Sequence, residues 1–440
     1  MFKQILEKTR YTSFWLLDIL KGGHVTKHFK DIVFLNDHYN SIESAKIRDR
    51  YLQSIIDHAV KTTSFYKSYK SELGLGHLPV INKTIIRENI NSFISDKFDQ
   101  NTLIPVVTSG STGTPFKTYQ DKNKRDRSKA DTIYFAQKAG FKVGNRLYYL
   151  KIWSKYNKKN AFLSWQQNIV PVDVIQLDEK VISRLISRIQ NDNSSKGVLG
   201  YSSAIEAVCR YLDKYESIKV TSKVNSIITM SEALNDYTKE TLEKHFNSPV
   251  LSRYSNIENG IIAQQFPDNT KDFHINAASF VVEILDMEAD TPVTPGEPGR
   301  IVVTDLFNYG MPMLRYDTGD IGVGAESFDL KHVPPILKRI EGRKLDTIYN
   351  TKGNAVSSYI VYKNMWQYTE ITQYQLIQVN TKEYIFKINV EGEFNRAGQL
   401  IAEFKKYLGV DAKFDIEYVS EIPLLDSGKR KKVVNMMNQG

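Results

Sequence analysis

Apolar residues recur at three- and four-residue spacing through the first hundred positions, as in "IRDRYLQSIIDHAV" (47–60), and this spacing predicts helices. From about residue 100 the pattern changes. Short apolar runs that read as strands, "LIPVV" (103–107), "RLYYLKI" (146–152), "GVLGYSS" (197–203) and "VNSIITM" (224–230), alternate with amphipathic stretches. Among the latter, "KADTIYFAQKAG" (129–140) closes on Gly140 as a helix cap, and "VISRLISRIQ" (181–190) carries apolar residues at 181, 182, 185, 186 and 189. "SSAIEAVCRYL" (202–212) and "NDYTKETLEKHF" (235–246) are further helices. Strand and helix in alternation predict an α/β sheet domain. "SFVVEILD" (279–286) and "GRIVVTDLF" (299–307) are longer strands joined by the turn-rich "MEADTPVTPGEPG" (287–299). "WQQNIVPVDV" (165–174) reads as a packed loop.

A second domain is expected from about residue 340. "ITQYQLIQVN", "YIFKINVEG", "NRAGQLIAEFKKYLG" and "KFDIEYVSEI" give a β-β-α-β order, a small α+β domain of about 100 residues. The expected division is therefore 1–100, the helical part of the large domain; 101–340, its α/β part with mixed sheets; and 341–440, a small mobile C-terminal domain.

Length agrees, since 440 residues exceed one simple core. Net charge is +9, spread over basic stretches such as "DKNKRDRSK" (121–129), "KIWSKYNKK" (151–159) and "GKRKK" (428–432). These read as solvated faces that could meet phosphates or an anionic membrane surface. No nucleic-acid motif accompanies them, so nucleic acid is not an expected partner. The single cysteine, Cys209, lies on an amphipathic pattern and is expected in the core, which suits a reducing compartment. The apolar run from Phe14 to Leu20 is short and interrupted by Asp18, so it is not a signal peptide, and no stretch approaches the ~20 apolar residues of a membrane span. A cytoplasmic protein is expected, with membrane contact at most peripheral.

Chemistry enters at "TSGSTGTP" (108–115), which follows the "LIPVV" run. Consecutive backbone N–H groups without bulky side chains can wrap a phosphate, and the hydroxyls add donors. The same composition suits a flexible turn. It is not a Walker loop, because Pro115 and Phe116 stand where Gly-Lys-[Ser/Thr] would be needed. Further along, "RYSNIENG" (253–260) sets Tyr254 four residues before Glu258, and "LRYDTGDIG" (314–322) reads as a tight turn before Asp320. "EGRKLDTIYNTKG" (341–353) follows at the domain boundary, and "LLDSGKRKK" (424–432) puts Lys429 in a Gly-containing loop. Each taken singly has an ordinary reading as core, surface acid or solvated tail.

In this order the segments, with "VLGYSSAI" (198–205) and "ITMSEALND" (228–236), resemble the adenylate-forming superfamily of acyl-CoA synthetases and adenylation domains. The chain is most similar to its phenylacetate–coenzyme A ligase branch, particularly the capsule-polysaccharide-biosynthesis members. The resemblance spans about residues 100–432. It implies the adenylate-forming enzyme fold and an AMP-forming ligase. A small-molecule carboxylate would attack the α-phosphorus of ATP, and an acceptor would then displace AMP from the acyl-adenylate. The acceptor would be coenzyme A, or an amine or hydroxyl of a polysaccharide precursor. The cofactors implied are ATP, Mg²⁺ and, with that acceptor, coenzyme A.

By the same resemblance Thr108, Ser109, Gly110, Ser111, Thr112 and Gly113 would hold the phosphates, and Glu258 the Mg²⁺. Ser231, Glu232 and Ala233 would line the adenine edge and Tyr254 would stack on it. Asp320 would accept the ribose hydroxyls, and Arg343 would sit near the ribose or the domain junction. Lys429 would bridge carboxylate and α-phosphate. Three positions depart from the family pattern: Phe116 stands where a lysine often follows the loop, the hinge falls at Leu345 or Asp346, and Asp317 takes a place that is often basic. Related readings are an acyl-protein synthetase, a deazaflavin-adenylylating enzyme and a nucleotide-binding protein without turnover.

Overall fold

The computed structural model describes residues 2–440 apart from 109–115, 154–159, 176, 216, 217, 219, 327–334, 344–346, 357, 366, 369, 424, 426–429, 439 and 440. At 2, 161–163, 343, 355, 359, 362, 363 and 438 it describes the backbone alone. The chain forms two compact units, one of residues 1–234, 238–318 and 323–339, the other of 340–440 with 235–237 and 319–322.

The first unit begins with helices α1 (Phe2–Leu20), α2 (His24–Asp37), α3 (Ile42–Thr62) and α4 (Lys83–Glu88). The helical spacing read at 47–60 buries Ile55, Ile56 and Ala59 of α3 against Tyr66, Phe93, Phe116, Met311 and Tyr316. Strands β1 (Ile104–Thr108) and β2 (Phe116–Gln120) pair antiparallel, with Thr108 opposite Phe116, so the Ser/Thr/Gly stretch connects two strands of a hairpin. Asp121 then accepts from Lys124 N and caps helix α5 (Lys122–Lys138). Gly140 follows at φ 88, a left-handed residue whose Cβ would meet Asn225 O at 2.6 Å, so only glycine fits.

Alternation continues through β3 (Arg146–Lys151), α6 (Ala161–Gln166), β4 (Ile169–Asp173), α7 (Glu179–Gln190), β5 (Lys196–Tyr201), α8 (Ser202–Lys214), β6 (Ser226–Met230), α9 (Asp236–Phe246) and β7 (Val250–Asn256). Each helix buries the stripe its sequence predicts: Ile182, Leu185, Ile186 and Ile189 in α7, Cys209 with Val208 and Leu212 in α8. The loop expected at 165–174 is instead largely strand β4, because its alternating Ile169–Asp173 pairs in parallel with β3. Then come β8 (Gly260–Phe266), β9 (Asn269–Ile275), β10 (Phe280–Leu285), β11 (Pro298–Asp305), β12 (Tyr316–Gly324) and β13 (Ile336–Arg343). Among the described residues these make an eleven-stranded mixed sheet in the order β10-β11-β12-β13-β9-β8-β7-β6-β5-β3-β4. Strands β4, β3, β5, β6 and β7 run parallel, and β7, β8, β9 and β13 antiparallel. The tight turn expected before Asp320 is absent. Residues 316–324 continue as β12, with only Gly319 turned to φ 79.

The basic stretch 121–129 is a solvated face only in part, since Lys122, Arg125 and Lys129 are exposed. Lys124 and Arg127 are fully buried, Lys124 Nζ 2.7 Å from Asp305 Oδ2 and Arg127 against Asp31, Ser279 and the Ala278 carbonyl. The spacing of charges hid this: Asp131 lies one helical turn from Arg127, but Asp31 and Asp305 come from distant parts of the chain.

The second unit holds β14 (Ile348–Tyr349), β15 (Ala355–Val356), α10 (Tyr359–Met365), β16 (Ile371–Gln378), β17 (Glu383–Val390), α11 (Ala397–Leu408), β18 (Lys413–Tyr418) and β19 (Val433–Asn435). Its sheet runs β18-β17-β16-β19 around a core of Leu376, Phe386, Ile388, Leu400, Phe404 and Leu408, the α+β arrangement read from the sequence. Among the described residues no helix is long and apolar enough to cross a membrane.

Candidate active site

Strands β3, β5, β6 and β7 are parallel neighbours, so their carboxyl ends open on one edge, where ligands bind in open α/β sheets. At the end of β6, Ser231 adopts φ 72. This left-handed residue turns the chain sharply into Glu232 and Ala233. The turn is pinned from α8: Ser202 Oγ donates to the Glu232 carbonyl and Ser203 N to Glu232 Oε2, both at 2.9 Å. The Glu232 carboxylate therefore serves as an acceptor at a helix N-terminus. On β7, the Tyr254 hydroxyl donates to Thr318 Oγ1 at 3.2 Å, and Thr318 in turn donates to Ile301 O at 2.9 Å. The Tyr254 ring is thus fixed at the strand end through two neighbouring side-chain bonds.

Glu258 follows in the turn from β7 to β8. Asn256 Oδ1 accepts from Asn259 N at 2.7 Å and holds that turn. The Glu258 side chain is only 2% exposed. Its Oε1 accepts from the Tyr316 hydroxyl at 2.7 Å and lies 3.2 Å from Lys83 Nζ, while its backbone carbonyl accepts from Gln120 Nε2 at 2.8 Å. Lys83 also lies 5.5 Å from the centre of the Phe116 ring, and Phe116 stacks parallel to Tyr316 at 6.4 Å. Glu258, Lys83, Tyr316 and Phe116 are one cluster, and Phe116 is the first residue after the Ser/Thr/Gly segment. Around it polar atoms are buried without a partner among the described residues: Thr108 Oγ1, Asn256 Nδ2 and both ends of the Asn259 amide. Buried polar groups normally find partners, so such a concentration marks a place where a polar ligand or water completes the bonding.

Residues 348–436 match the CapK C-terminal domain family. Over 447 residues the chain is 23% identical to protein CapK of Staphylococcus aureus, covering 94% of each. Its backbone is similar to a 2-hydroxyisobutyryl-CoA ligase solved with a hydroxyacyl-AMP (TM-score 0.68, 13% identity, 90% of each chain). It is also similar to ATP-bound MatB from Rhodopseudomonas palustris (TM-score 0.55, 15% identity, 74% of this chain and 66% of that one). The chain has the adenylate-forming ligase fold.

On that fold the structure brings several expected residues to the carboxyl edge of the sheet: Ser231, Glu232 and Ala233 after β6, Tyr254 on β7 and Glu258 in the turn beyond it. Asp320 lies on β12, two residues after Thr318. Thr108 ends β1. Ser109, Gly110, Ser111, Thr112, Gly113, Leu345, Asp346 and Lys429 lie outside the described residues, and Arg343 ends β13 with its backbone alone described. Asp317, one of the departures, is paired: its Oδ2 accepts from Arg300 Nη1 at 2.9 Å.

The structure adds Lys83 and Gln120, which no motif marked, and Tyr316, which lies in the "LRYDTGDIG" segment but had no role assigned there. One signal for Lys83 was available. Phe116 stands where a lysine often follows the loop, Lys117 comes one residue later and lies over Tyr119, and Lys83, from the helical segment, is the cation at Phe116. Among the described residues no three His, Cys, Asp or Glu side chains converge as a metal cluster. A single carboxylate still suits Mg²⁺, which takes one or two carboxylates plus substrate phosphates. Tyr316 and Lys83 both approach Glu258 at Oε1.

Proposed function

We propose that the protein is an ATP-dependent ligase of the phenylacetate–coenzyme A ligase type, which activates a carboxylate as an acyl-adenylate and passes the acyl group to an acceptor. The observation that carries this reading is the buried Glu258 carboxylate, held by Tyr316 and Lys83 beside the strand pair that brackets the Ser/Thr/Gly loop. Such a site answers the central physical problem of the reaction, crowded negative charge on the phosphates.

In this mechanism Tyr254, with its hydroxyl anchored on Thr318, presents its ring to the adenine, and the Ser231–Ala233 turn meets the adenine edge. Asp320, an acceptor-only carboxylate when ionised, takes the ribose hydroxyls. Backbone and hydroxyl donors from Thr108 to Gly113 hold the β- and γ-phosphates. Mg²⁺, when bound through Glu258, supplies charge neutralisation between phosphate oxygens. Lys83, already 3.2 Å from Glu258 Oε1, orients that carboxylate. Lys429 is assigned the charge between the attacking carboxylate and the α-phosphate, and Arg343 the ribose side. Leu345 or Asp346 is the pivot of the C-terminal domain. The resemblance to capsule-polysaccharide-biosynthesis ligases favours an amine or hydroxyl of a sugar precursor as acceptor; coenzyme A is bound beside the acyl-adenylate in one structure of the 2-hydroxyisobutyryl-CoA ligase.

The test is carboxylate-dependent ATP–pyrophosphate exchange over aryl, fatty, amino and sugar acids, followed by acceptor trials with coenzyme A and amino sugars. A protein that binds ATP yet shows no exchange with any of these acids would have a nucleotide-binding role without turnover.

A further inference from the structure

Arg253 is 7% exposed, in the middle of β7, directly opposite Met230 of β6 and Gln264 of β8. Its Nε donates to Gln264 Oε1 at 2.7 Å, and the Gln264 amide donates onward to the Phe135 carbonyl of α5. Of the other buried arginines of this unit, Arg48 is held by the Tyr39 carbonyl and the Ser44 hydroxyl, and the remaining three hold acids. Arg127 meets Asp31, Arg300 meets Asp290 and Asp317, and Arg315 meets Glu283. Arg253 has no such partner: among the described residues no carboxylate pairs with it. Its electrostatic neighbour is Tyr149 on β3, and burial pushes the guanidinium down to about 10, so it stays charged at neutral pH. Burying an unpaired cation is costly, and proteins ordinarily pair it or use it.

Its position says what the use is. Met230, its neighbour across the ladder, runs straight into the Ser231–Ala233 turn, and Tyr254 is the next residue. Consecutive strand residues face opposite sides, so Arg253 looks toward the α5 face while Tyr254 looks the other way. Tyr149 and Tyr201 lie on the neighbouring parallel strands β3 and β5, and burial raises both phenols, so they are neutral hydroxyls there. β6 ends at Met230, level with Arg253, so a molecule whose adenylate end lies on Tyr254 and the Ser231–Ala233 turn would carry its acyl end past the carboxyl end of β6 to the guanidinium on the other face.

We infer that Arg253 receives a second anionic group on the acid that this enzyme activates, so that the substrate is a dicarboxylate or an acid with an equivalent anion at its far end. This rests on the adenylation reading above and names the substrate class of that site. A guanidinium binds such a group through two parallel N–H donors, and a phenol beside it donates a third bond.

The experiment uses the full-length protein with paired probes: succinate, glutarate and adipate against butyrate, pentanoate and hexanoate. Calorimetry measures binding of each acid, and ATP–pyrophosphate exchange measures its activation. The expected result is binding and exchange with a diacid at least about tenfold stronger than with the matching monoacid, the loss expected for one charge-assisted contact. Arg253→Met should erase that preference while leaving ATP affinity unchanged, and Arg253→Lys, which keeps the charge, should retain part of it. Arg253→Lys also serves if Arg253→Met does not fold. A parent protein that binds ATP but treats the two series alike overturns the Arg253 assignment and leaves adenylation standing. A protein that binds no ATP overturns adenylation, and the diacid calorimetry then decides Arg253 on its own.

Discussion

Replacing Glu258 by glutamine separates the fold from the chemistry. The side chain keeps its shape and its Oε1 still accepts from Tyr316, now at 2.7 Å, but the charge beside Lys83 is gone. Breaking a fully buried pair costs about 3–5 kcal/mol. Here Lys83 is 28% exposed and can turn to water, and the variant no longer buries a carboxylate. The two effects oppose each other, so stability should change by about 1 kcal/mol or less, the scale of a single hydrogen bond. Function should respond far more. Losing a fixed electrostatic stabiliser costs about 3–4 kcal/mol, or roughly 10²–10³ in rate. Exchange should fall by that factor, and the Mg²⁺ concentration needed for half-maximal ATP binding by calorimetry should rise. Denaturant unfolding would verify that the variant is folded. A folded Glu258→Gln protein with parental exchange and unchanged Mg²⁺ dependence would refute the assignment of Glu258 to the metal.

Asp320→Ala should weaken ATP binding by about 1.5–3 kcal/mol per lost charged hydrogen bond without unfolding the protein, and unaltered affinity by calorimetry would reject the ribose assignment. Lys429→Ala should lose adenylate formation by several orders of magnitude yet consume a chemically made acyl-adenylate at near-parental rate; equal loss in both half-reactions would reject a role confined to the first. The last of these concerns pH. Burial pushes the Asp192 carboxyl up, but hydrogen bonds from the Ser194 hydroxyl and backbone, from Tyr148, and the charge of Arg146 outweigh it and hold the group at about 2. A depressed folded value stabilises above the ordinary 3.8 and is lost as pH falls from there toward 2. Asp192→Asn should therefore destabilise at pH 7 by about 2 kcal/mol, and its deficit against the parent should shrink through that window; a pH-independent deficit would contradict the linkage.

Much of the fold was legible because helical and strand periods are local. The stripe of α7, the burial of Cys209 and the β-β-α-β order after residue 370 need no knowledge of distant residues. Composition misled where pairing is long-range. In "DKNKRDRSK" the charges look solvated, yet Lys124 and Arg127 meet Asp305 and Asp31 from other elements. The site divides in the same way. Tyr254 and Glu258 stood out because they sit in one short segment. Lys83 and Tyr316 complete the Glu258 carboxylate from 175 and 58 positions away, and although Tyr316 lies in the "LRYDTGDIG" segment, no local pattern ties either residue to Glu258. "YDTGD" read as a turn because Gly and Asp favour turns; strand pairing on both sides of β12 overrides that preference and leaves only Gly319 in a turn-like conformation.

Two buried charges one turn apart in the chain, Arg253 and Glu258, are handled in opposite ways, and the contrast bears on what the site binds. Glu258 is supplied with a cation and a hydroxyl by the protein itself, so it is ready before any ligand arrives. Among the described residues Arg253 has the Gln264 amide oxygen and the nearby Tyr149 phenol but no carboxylate, so the guanidinium is oriented and its charge is not neutralised by an acid. Preorganised groups that need no rearrangement suit an invariant partner, as the phosphates of a nucleotide are. An oriented but uncompensated charge penalises every ligand that fails to neutralise it, because the desolvation cost has already been met in folding and is repaid only by an anion. That asymmetry makes Arg253 a selector rather than a binder of all acids. Apolar acids would leave a polar group unmet in a dry site, the arrangement by which enzymes reject analogues lacking one hydrogen-bonding group far more strongly than analogues lacking one methylene.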